Sequence, residues 1–396
     1  MTPGIYISGD IMNSDIIPFI AGTLVFASSL ISLRVGISVA ILEILLGTIA
    51  GSFGMQPQSW MLYLANFGGI ILTFMAGTEI DTKMMQAKFK ECILIGFLSF
   101  FAPFIVVFIF AQFILNWSFQ SSILAGIALS TTSLAVVYSV LVETGLSKSE
   151  LGKLLMAATF VTDMGTALAL SLVFTKPNWK SLLFVVCSII IIVLARLFAN
   201  RIFNNKKYKN KVNEPEIKFI FLLLLALIYF AKIGDGHAVL PAFILGLLMS
   251  KYFTDNKTTR QVIIRLRTVA YAIITPFFFL VGGMKVSLPA IYGALGLFVI
   301  FFLLKIISKF AGVYFVFGKY APQGKMYSTL LMSTGLTFGT IACQFGLNEG
   351  YLDSVKYSVL LGVVIASAVI PTFIAQKWFY PMEEEDIIEY SIGNGK

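Results

Sequence analysis

Apolar segments of about 20 residues recur along almost the whole chain, and this feature restricts the fold more than any other. A helix of that length crosses about 30 Å of hydrocarbon. The segments do not alternate apolar with polar residues, as the strands of an outer-membrane barrel would. Because only helices and closed barrels satisfy the backbone in lipid, the pattern predicts an all-α membrane protein.

The composition leads to the same class of protein. Hydrophobic residues make up 58% of the chain and charged residues 12%, about half the charged share that is usual in a soluble domain. Residues 1–14 lack a basic segment, so no cleavable signal peptide is expected. The three cysteines have no metal-ligand spacing and are expected to be buried thiols; they are Cys92, Cys187 and Cys343.

Thirteen spans are predicted, with Gly, Pro, Asn or charged residues in most of the gaps. If the N-terminus is outside, 21 of the 29 basic residues fall on the cytoplasmic side and five outside. This predicts an N-out, C-in protein of the inner (cytoplasmic) membrane, and it explains the net charge of +9 without a nucleic-acid partner. The basic loop 204–218 is expected to be a solvated linker and the acidic end of the chain to be disordered, with no nucleotide-binding domain. The predicted spans are residues 15–33, 36–53, 60–79, 91–115, 121–143, 149–174, 180–203, 216–234, 239–253, 262–283, 288–317, 325–346 and 352–378.

The chain also contains a long internal repeat. The sequence FMAGTEI at residues 74–80 resembles LVGGMKV at residues 280–286, 206 residues later, and the same offset pairs Thr131 with Thr337. An odd number of crossings separates the two copies, so they face opposite ways. Inverted repeats of this kind build secondary transporters, with the ion site at the midplane between them.

The fifth and twelfth spans carry clusters of hydroxyl residues and glycine, which predict a break in each helix. They read STTS at residues 130–133 and TGLTFGT at residues 334–340. Such clusters are poor helix interiors, and the carbonyls and hydroxyls of an unwound segment can bind a cation. Small-residue packing between helices is the alternative. The residues predicted to form this crossing are Ser130, Thr131, Thr132, Ser133, Thr334, Gly335 and Thr337.

Asp163 lies near the middle of the sixth span, where a charge is costly and needs a reason. A carboxylate is a hard oxygen ligand suited to small cations, and burial favours its neutral form, so a proton competes with the cation. One carboxylate that holds either a proton or a metal ion, never both, is the minimum requirement for exchange. The alternative is a structural aspartate that bridges neighbouring helices.

Four further ionisable residues lie in or beside the predicted spans. Lys305, near the middle of the eleventh span, needs a carboxylate partner, for which Asp163 is the candidate; a purely structural ion pair is the alternative. Lys309 lies one turn further on the same face and is expected to snorkel or pack at the helix end. Glu43 in the second span is a candidate second proton site or a packing contact, and His237 is expected to be solvated in an external loop.

These residues resemble those of the monovalent cation/proton antiporters, specifically the NapA-like and Kef-like branch, along nearly the whole chain. LTFMAGTEID at residues 72–81 resembles the branch's FxAGLEID signature, and ALSTTS at residues 128–133 resembles its unwound helix. Thr162 and Asp163 stand where the family has Asp-Asp, Asn-Asp or Gln-Asp, and Lys305 stands where it has a membrane-embedded Lys or Arg. Thr162 departs from that pattern and leaves Asp163 as the one carboxylate of the pair. A single carboxylate favours exchange of one cation for one proton.

The resemblance implies a homodimer of thirteen-helix, NhaA-like protomers with two crossed broken helices and an elevator-like movement. The implied parts are scaffold helices in residues 15–82 and 216–285, a mobile core in residues 91–174 and 288–378, a linker helix at 180–203 and a cytoplasmic tail at 379–396. The implied ion and proton site consists of Asp163, Thr162, Thr131, Thr132 and Ser133, with Na⁺ on Asp163 and Lys305 as the charge partner.

The sequence therefore predicts exchange of sodium or lithium for protons, used for sodium extrusion and pH homeostasis. The expected partners are monovalent cations, protons and membrane lipid. No Ser-His-Asp set, Cys-His cluster or phosphate loop occurs, so neither enzymatic activity nor a cofactor is expected. Three alternatives stay open: potassium/proton exchange, sodium-coupled symport of an organic anion, and a sensor or channel. Sodium and potassium are not distinguished, because selectivity depends on cavity size and ligand number.

Overall fold

The computed structural model describes residues 16–35, 38–78, 88–146, 149–174, 178–203, 213–234, 237–254 and 257–381. Within these ranges the chain is helical and has no strand, which confirms the predicted all-α class. Nine helices of the described residues are long and apolar enough to cross a membrane, and three shorter apolar helices accompany them. The basic loop at 204–212, the acidic end at 382–396 and the end of the FMAGTEI motif at 79–80 lie outside the described residues.

The helices are numbered in chain order. The first half contains α1 Ile16–Val35, α2 Val39–Ser52, α3 Ser59–Thr78, α4 Phe89–Ile109, α5 Phe119–Ser130, α6 Leu134–Glu143, α7 Glu150–Phe174, α8 Trp179–Phe203 and α9 Pro215–Ile233. The second half contains α10 Val239–Thr254, α11 Lys257–Val269, α12 Thr275–Met284, α13 Leu288–Gly293, α14 Leu295–Tyr320, α15 Lys325–Met332, α16 Thr337–Asn348 and α17 Ser354–Trp378. Two π-helical turns, Phe110–Ile114 and Ala270–Ile274, follow α4 and precede α12.

The predicted spans and the helices differ in two informative ways. The fifth and twelfth spans are each two helices, α5 with α6 and α15 with α16, interrupted at the hydroxyl and glycine clusters. The eleventh span is also divided, because α13 ends at Gly293 and α14 starts afresh at Leu295. The centre of α14 therefore lies several residues later than the centre of the predicted span 288–317.

One group of helices packs around glycine contacts. Helices α2, α3, α10 and α12 pack extensively on one another. A Cβ on Gly246 of α10 would lie 2.1 Å from the Phe74 carbonyl oxygen of α3. A Cβ on Gly283 of α12 would lie 2.0 Å from the Ile44 carbonyl oxygen of α2. These backbones approach closely only because the glycines lack side chains.

A second group comprises α4 to α7 and α14 to α17, in which α4 packs on α5, α7 and α14, and α16 packs on α5 and α17. Its backbones meet those of the first group mainly where α7 reaches α10 and α3 reaches α16. The division follows the scaffold and core segments that the resemblance implies, whose roles stay predictions. Cys92 and Cys343 are buried free thiols, whereas Cys187 on α8 is only partly buried, contrary to expectation.

Candidate functional site

The two helix breaks lie side by side. Thr132 donates from Oγ1 to the carbonyl oxygen of Met332 across 2.8 Å, and the hydroxyls of Ser133 and Thr337 are 3.5 Å apart. The break after α5 thus contacts both ends of the break between α15 and α16. The sequence clusters that predicted unwinding are brought together in space.

Hydroxyl groups explain why the helices stop there. Ser130 and Thr131 each donate from the side chain to the carbonyl oxygen three residues earlier, at 2.9 and 3.0 Å. Thr334 does the same at 2.8 Å. The last carbonyls of a helix lack amide partners, and these hydroxyls satisfy them without solvent. All three side chains are fully buried, so these bonds replace the solvent that would otherwise satisfy the carbonyls.

Asp163 on the unbroken helix α7 is 2% exposed and faces the break. It lines a small, partly open cavity together with Thr337 and Phe338 at the start of α16, Ala76 on α3 and Tyr271 in the π-helical turn before α12. The preceding Thr162 donates its hydroxyl to a carbonyl of its own helix, 3.1 Å away. A single carboxylate therefore faces the cavity from this part of α7.

Lys309 on α14 is fully buried beside the first break. Its Nζ donates to Ser99 Oγ at 2.7 Å and to Thr132 Oγ1 at 2.9 Å. Its ammonium also lies close enough to Asp163 for the two charges to attract. The sequence predicted Lys309 at the end of its helix, and the structure shows that this prediction is wrong. The later centre of α14 is the reason, because it places Lys309 as deep in the bundle as Lys305.

Lys305 is fully buried as well, but one turn away from that cluster. Its Nζ has no hydrogen-bond partner among the described residues. It lies beside Gly335, where an added Cβ would be 2.5 Å from it. The pairing of Lys305 with Asp163 stays a prediction, and the structure adds Lys309 as a second candidate. Sequence reasoning identified the face shared by the two lysines but favoured the other one.

Glu43 and His237 lie away from the cavity. Glu43 is 3% exposed on α2, the helix that packs on α12, and does not line the cavity around Asp163. Its role as a second proton site stays a prediction. His237 is half-buried, with its ring centroid 4.4 Å from that of Phe345 on α16. The expectation of a solvated histidine is wrong, because the His237 ring packs on the second broken helix.

Replacing Gly335 by Ala is expected to reduce exchange at least about tenfold and to destabilise the fold by about 1–3 kcal/mol. The added Cβ would lie 2.5 Å from Thr131 Oγ1 and 2.7 Å from the Thr131 carbonyl oxygen. The lysine tip beside it can move, but the backbone oxygen cannot without displacing the break. Thermal unfolding and ion flux of the purified variant would measure both effects.

Gly296→Ala on α14 is the matched control, since a Cβ there meets nothing within 4 Å. Because alanine is a better helix former than glycine, this replacement should leave the stability of the protein unchanged or slightly raised. Equal behaviour of the two variants would contradict the tight approach of the breaks.

A buried carboxylate that faces two interrupted helices and a buried lysine, inside a bundle of apolar helices, defines a secondary ion transporter. The chain belongs to the sodium/hydrogen exchanger family, whose transmembrane family model matches residues 20–378. It is thus a multi-pass membrane transporter rather than an enzyme, and the predicted family is confirmed.

Two relatives and one solved structure illustrate the similarity. The chain is 26% identical to the probable Na(+)/H(+) antiporter 3 of Methanocaldococcus jannaschii over 351 residues, which cover 83% of this chain and 89% of that protein. It is 25% identical to the Na(+)/H(+) antiporter of Enterococcus hirae over 364 residues, covering 87% and 92%. The solved sodium proton antiporter MjNhaP1 of Methanocaldococcus jannaschii superposes with a TM-score of 0.69 at 15% identity, covering 91% of this chain and 97% of that chain. This last likeness shows a shared fold.

Proposed function

We propose that this protein exchanges sodium or lithium for protons across the cell membrane, with Asp163 holding either the cation or the proton. The observation that carries the proposal is the position of Asp163, buried at the cavity where the start of α16 meets α3. The printed names of the two curated relatives, both Na(+)/H(+) antiporters, support the choice of ions.

The chemistry is competition for one carboxylate. When Asp163 is ionised, its oxygens can bind a small cation, with further oxygens supplied by the breaks at Thr131–Ser133 and Thr337. When it is protonated, the charge that holds the cation is gone and the cation leaves. Between the two loaded states Lys309 can compensate the buried negative charge, and the hydroxyls of Ser99 and Thr132 hold its ammonium in place.

One carboxylate implies one proton for each monovalent cation. Thr162, the residue before Asp163, has a hydroxyl that does not ionise at physiological pH, so it supplies no second titrating group there. Exchange is then electroneutral, and its rate does not depend on membrane potential. Glu43 would alter this ratio only if its protonation followed the transport cycle, and it lies outside the cavity.

The proposed architecture has thirteen membrane crossings in inverted repeats, with the N-terminus outside and the C-terminus in the cytoplasm. The packing of the described helices into two groups supports a scaffold built on α2, α3, α10 and α12 and a core that carries both breaks. We propose that the core moves against the scaffold and that the scaffold dimerises in the membrane. No cofactor has a role in this scheme.

An ion panel tests the function. The protein is reconstituted in liposomes with an imposed proton gradient, and internal pH is followed as sodium, lithium or potassium is added. Sodium and lithium are expected to dissipate the gradient, at a rate that is unchanged when the membrane potential is clamped. A response to potassium alone would make the protein a potassium/proton exchanger. No proton movement with any of the three would favour an organic-anion symporter.

A further inference from the structure

Two buried hydrogen bonds join the two groups of helices. Gln344 of α16 donates from Nε2 to the Phe278 carbonyl oxygen at 3.0 Å. Tyr357 of α17 donates from Oη to the Gly282 carbonyl oxygen at 2.7 Å. Both acceptors belong to α12 in the first group, and both donors belong to the second group. All four residues are buried, so water does not compete for these bonds.

The backbone of α12 leaves both a free carbonyl and the space for these two donors. Gly282 lies in the last turn of α12, where carbonyls lack helical partners, and the amide of Val286 bonds to Gly283 instead. The Tyr357 hydroxyl therefore satisfies a carbonyl that the helix leaves open. A Cβ on Gly282 would lie 2.3 Å from Gln344 Nε2, so the missing side chain provides the space for the amide.

These bonds lie further along both helices than the cavity beside Asp163. The cavity reaches Asp163 beside Tyr271, which is 44% exposed, and beside Thr337 at the start of α16. Phe278 follows Tyr271 by seven residues and Gln344 follows Thr337 by seven, about 10 Å along each helix. The cavity thus lies on the Tyr271 side of these helices, and the two bonds join the groups about 10 Å further along.

We propose that Gln344 and Tyr357 form a latch, defined by these two bonds, that closes the side of the transporter opposite the cavity. The inference rests on the proposed exchange function, since alternating access requires this side to open when the other closes. The backbone of α12 makes few contacts with those of α16 and α17, so the two side-chain hydrogen bonds contribute much of what holds these helices together. When the latch opens, water replaces both partners, which makes the step reversible.

Removing one latch bond should therefore shift the equilibrium toward the state that is open on the latch side, by about three- to tenfold. Gln344→Met and Tyr357→Phe keep the side-chain volume and remove the donor. Tyr327→Phe is the matched control, because its buried hydroxyl contacts Thr144 at 3.3 Å within the second group and spans no boundary. All three variants remove one buried polar group, so a general loosening would affect them alike.

Accessibility of a single cysteine reports the shift. The three native cysteines are replaced, and Ile341→Cys is introduced one turn from Gln344 on the same face of α16. Ala76→Cys, in the cavity, reports the open side. Sealed vesicles are treated with a membrane-impermeant thiol reagent added inside or outside, and sodium-driven proton flux is measured on the same preparations.

The latch variants are expected to raise labelling at position 341 about three- to tenfold, from the side opposite the one that labels position 76, while the control stays at the wild-type rate. Unchanged labelling would overturn the latch, and so would an equal rise in Tyr327→Phe or labelling of position 341 from the cavity side. Absence of sodium-driven flux in the wild type would instead overturn the proposed function, whatever the labelling shows.

Discussion

Asp163→Asn is expected to reduce cation-driven proton flux to the background of protein-free vesicles. Asparagine has nearly the same shape, but it cannot ionise, so it can neither hold a cation by charge nor release a proton. Because one carboxylate faces the cavity from α7, no neighbour on that helix can replace it. The measurement is sodium-induced change of internal pH in proteoliposomes with wild type and variant at equal protein density.

Stability separates loss of function from loss of fold in this variant. A neutral amide is less costly than an ion in a buried site, and Lys309 keeps its hydrogen bonds to Ser99 and Thr132, so Asp163→Asn should unfold close to the wild-type temperature. Sodium should raise the unfolding temperature of the wild type, because a ligand bound to the native state stabilises it, and should leave that of the variant unchanged. Sodium-driven flux that persists in a folded Asp163→Asn protein would show that another group carries the ion.

Lys309→Met is expected to lower exchange at least about a hundredfold, because it removes the ammonium that we propose compensates the buried charge of Asp163. The change also removes the donor that bonds Ser99 and Thr132 beside the first break. Methionine keeps the length of the side chain, so the loss reports charge and hydrogen bonding more than packing. Flux and sodium-induced thermal stabilisation would be measured together.

Lys305→Met is the matched comparison one helical turn away. Its Nζ has no hydrogen-bond partner among the described residues, so replacement by an apolar chain removes a costly buried amine without breaking a bond. Exchange should fall much less than in Lys309→Met, and the unfolding temperature should stay or rise. The reverse order, with Lys305→Met inactive and Lys309→Met active, would establish Lys305 as the partner of Asp163.

The class of the fold and the position of the carboxylate followed from local information. Long apolar segments exclude a soluble protein, since the energy of burying a backbone in lipid depends on each segment by itself. The hydroxyl clusters at residues 130–133 and 334–340 identified both breaks, because hydroxyls that bond the preceding turn weaken a helix wherever it packs. Asp163 stood out for the same reason: a charge at mid-span is costly in any arrangement.

Contacts between distant segments were decided only by the tertiary structure. The two lysines share a face of one helix, and only the packing of α4 and α5 against α14 places Ser99 and Thr132 around Lys309. Gln344 and Tyr357 carry no sequence signal, since their acceptors are backbone carbonyls about 70 residues away, which any residue possesses. The sequence predicted a solvated His237 because the residue lies in a polar loop, whereas in the structure its ring packs on Phe345 of α16. The sequence alone determined the local costs: which segments enter the membrane, where they unwind and which charge is buried. The tertiary structure determined which neighbours offset those costs. The reason is that hydrogen bonds and charge pairs depend on distances between segments, which no local pattern specifies.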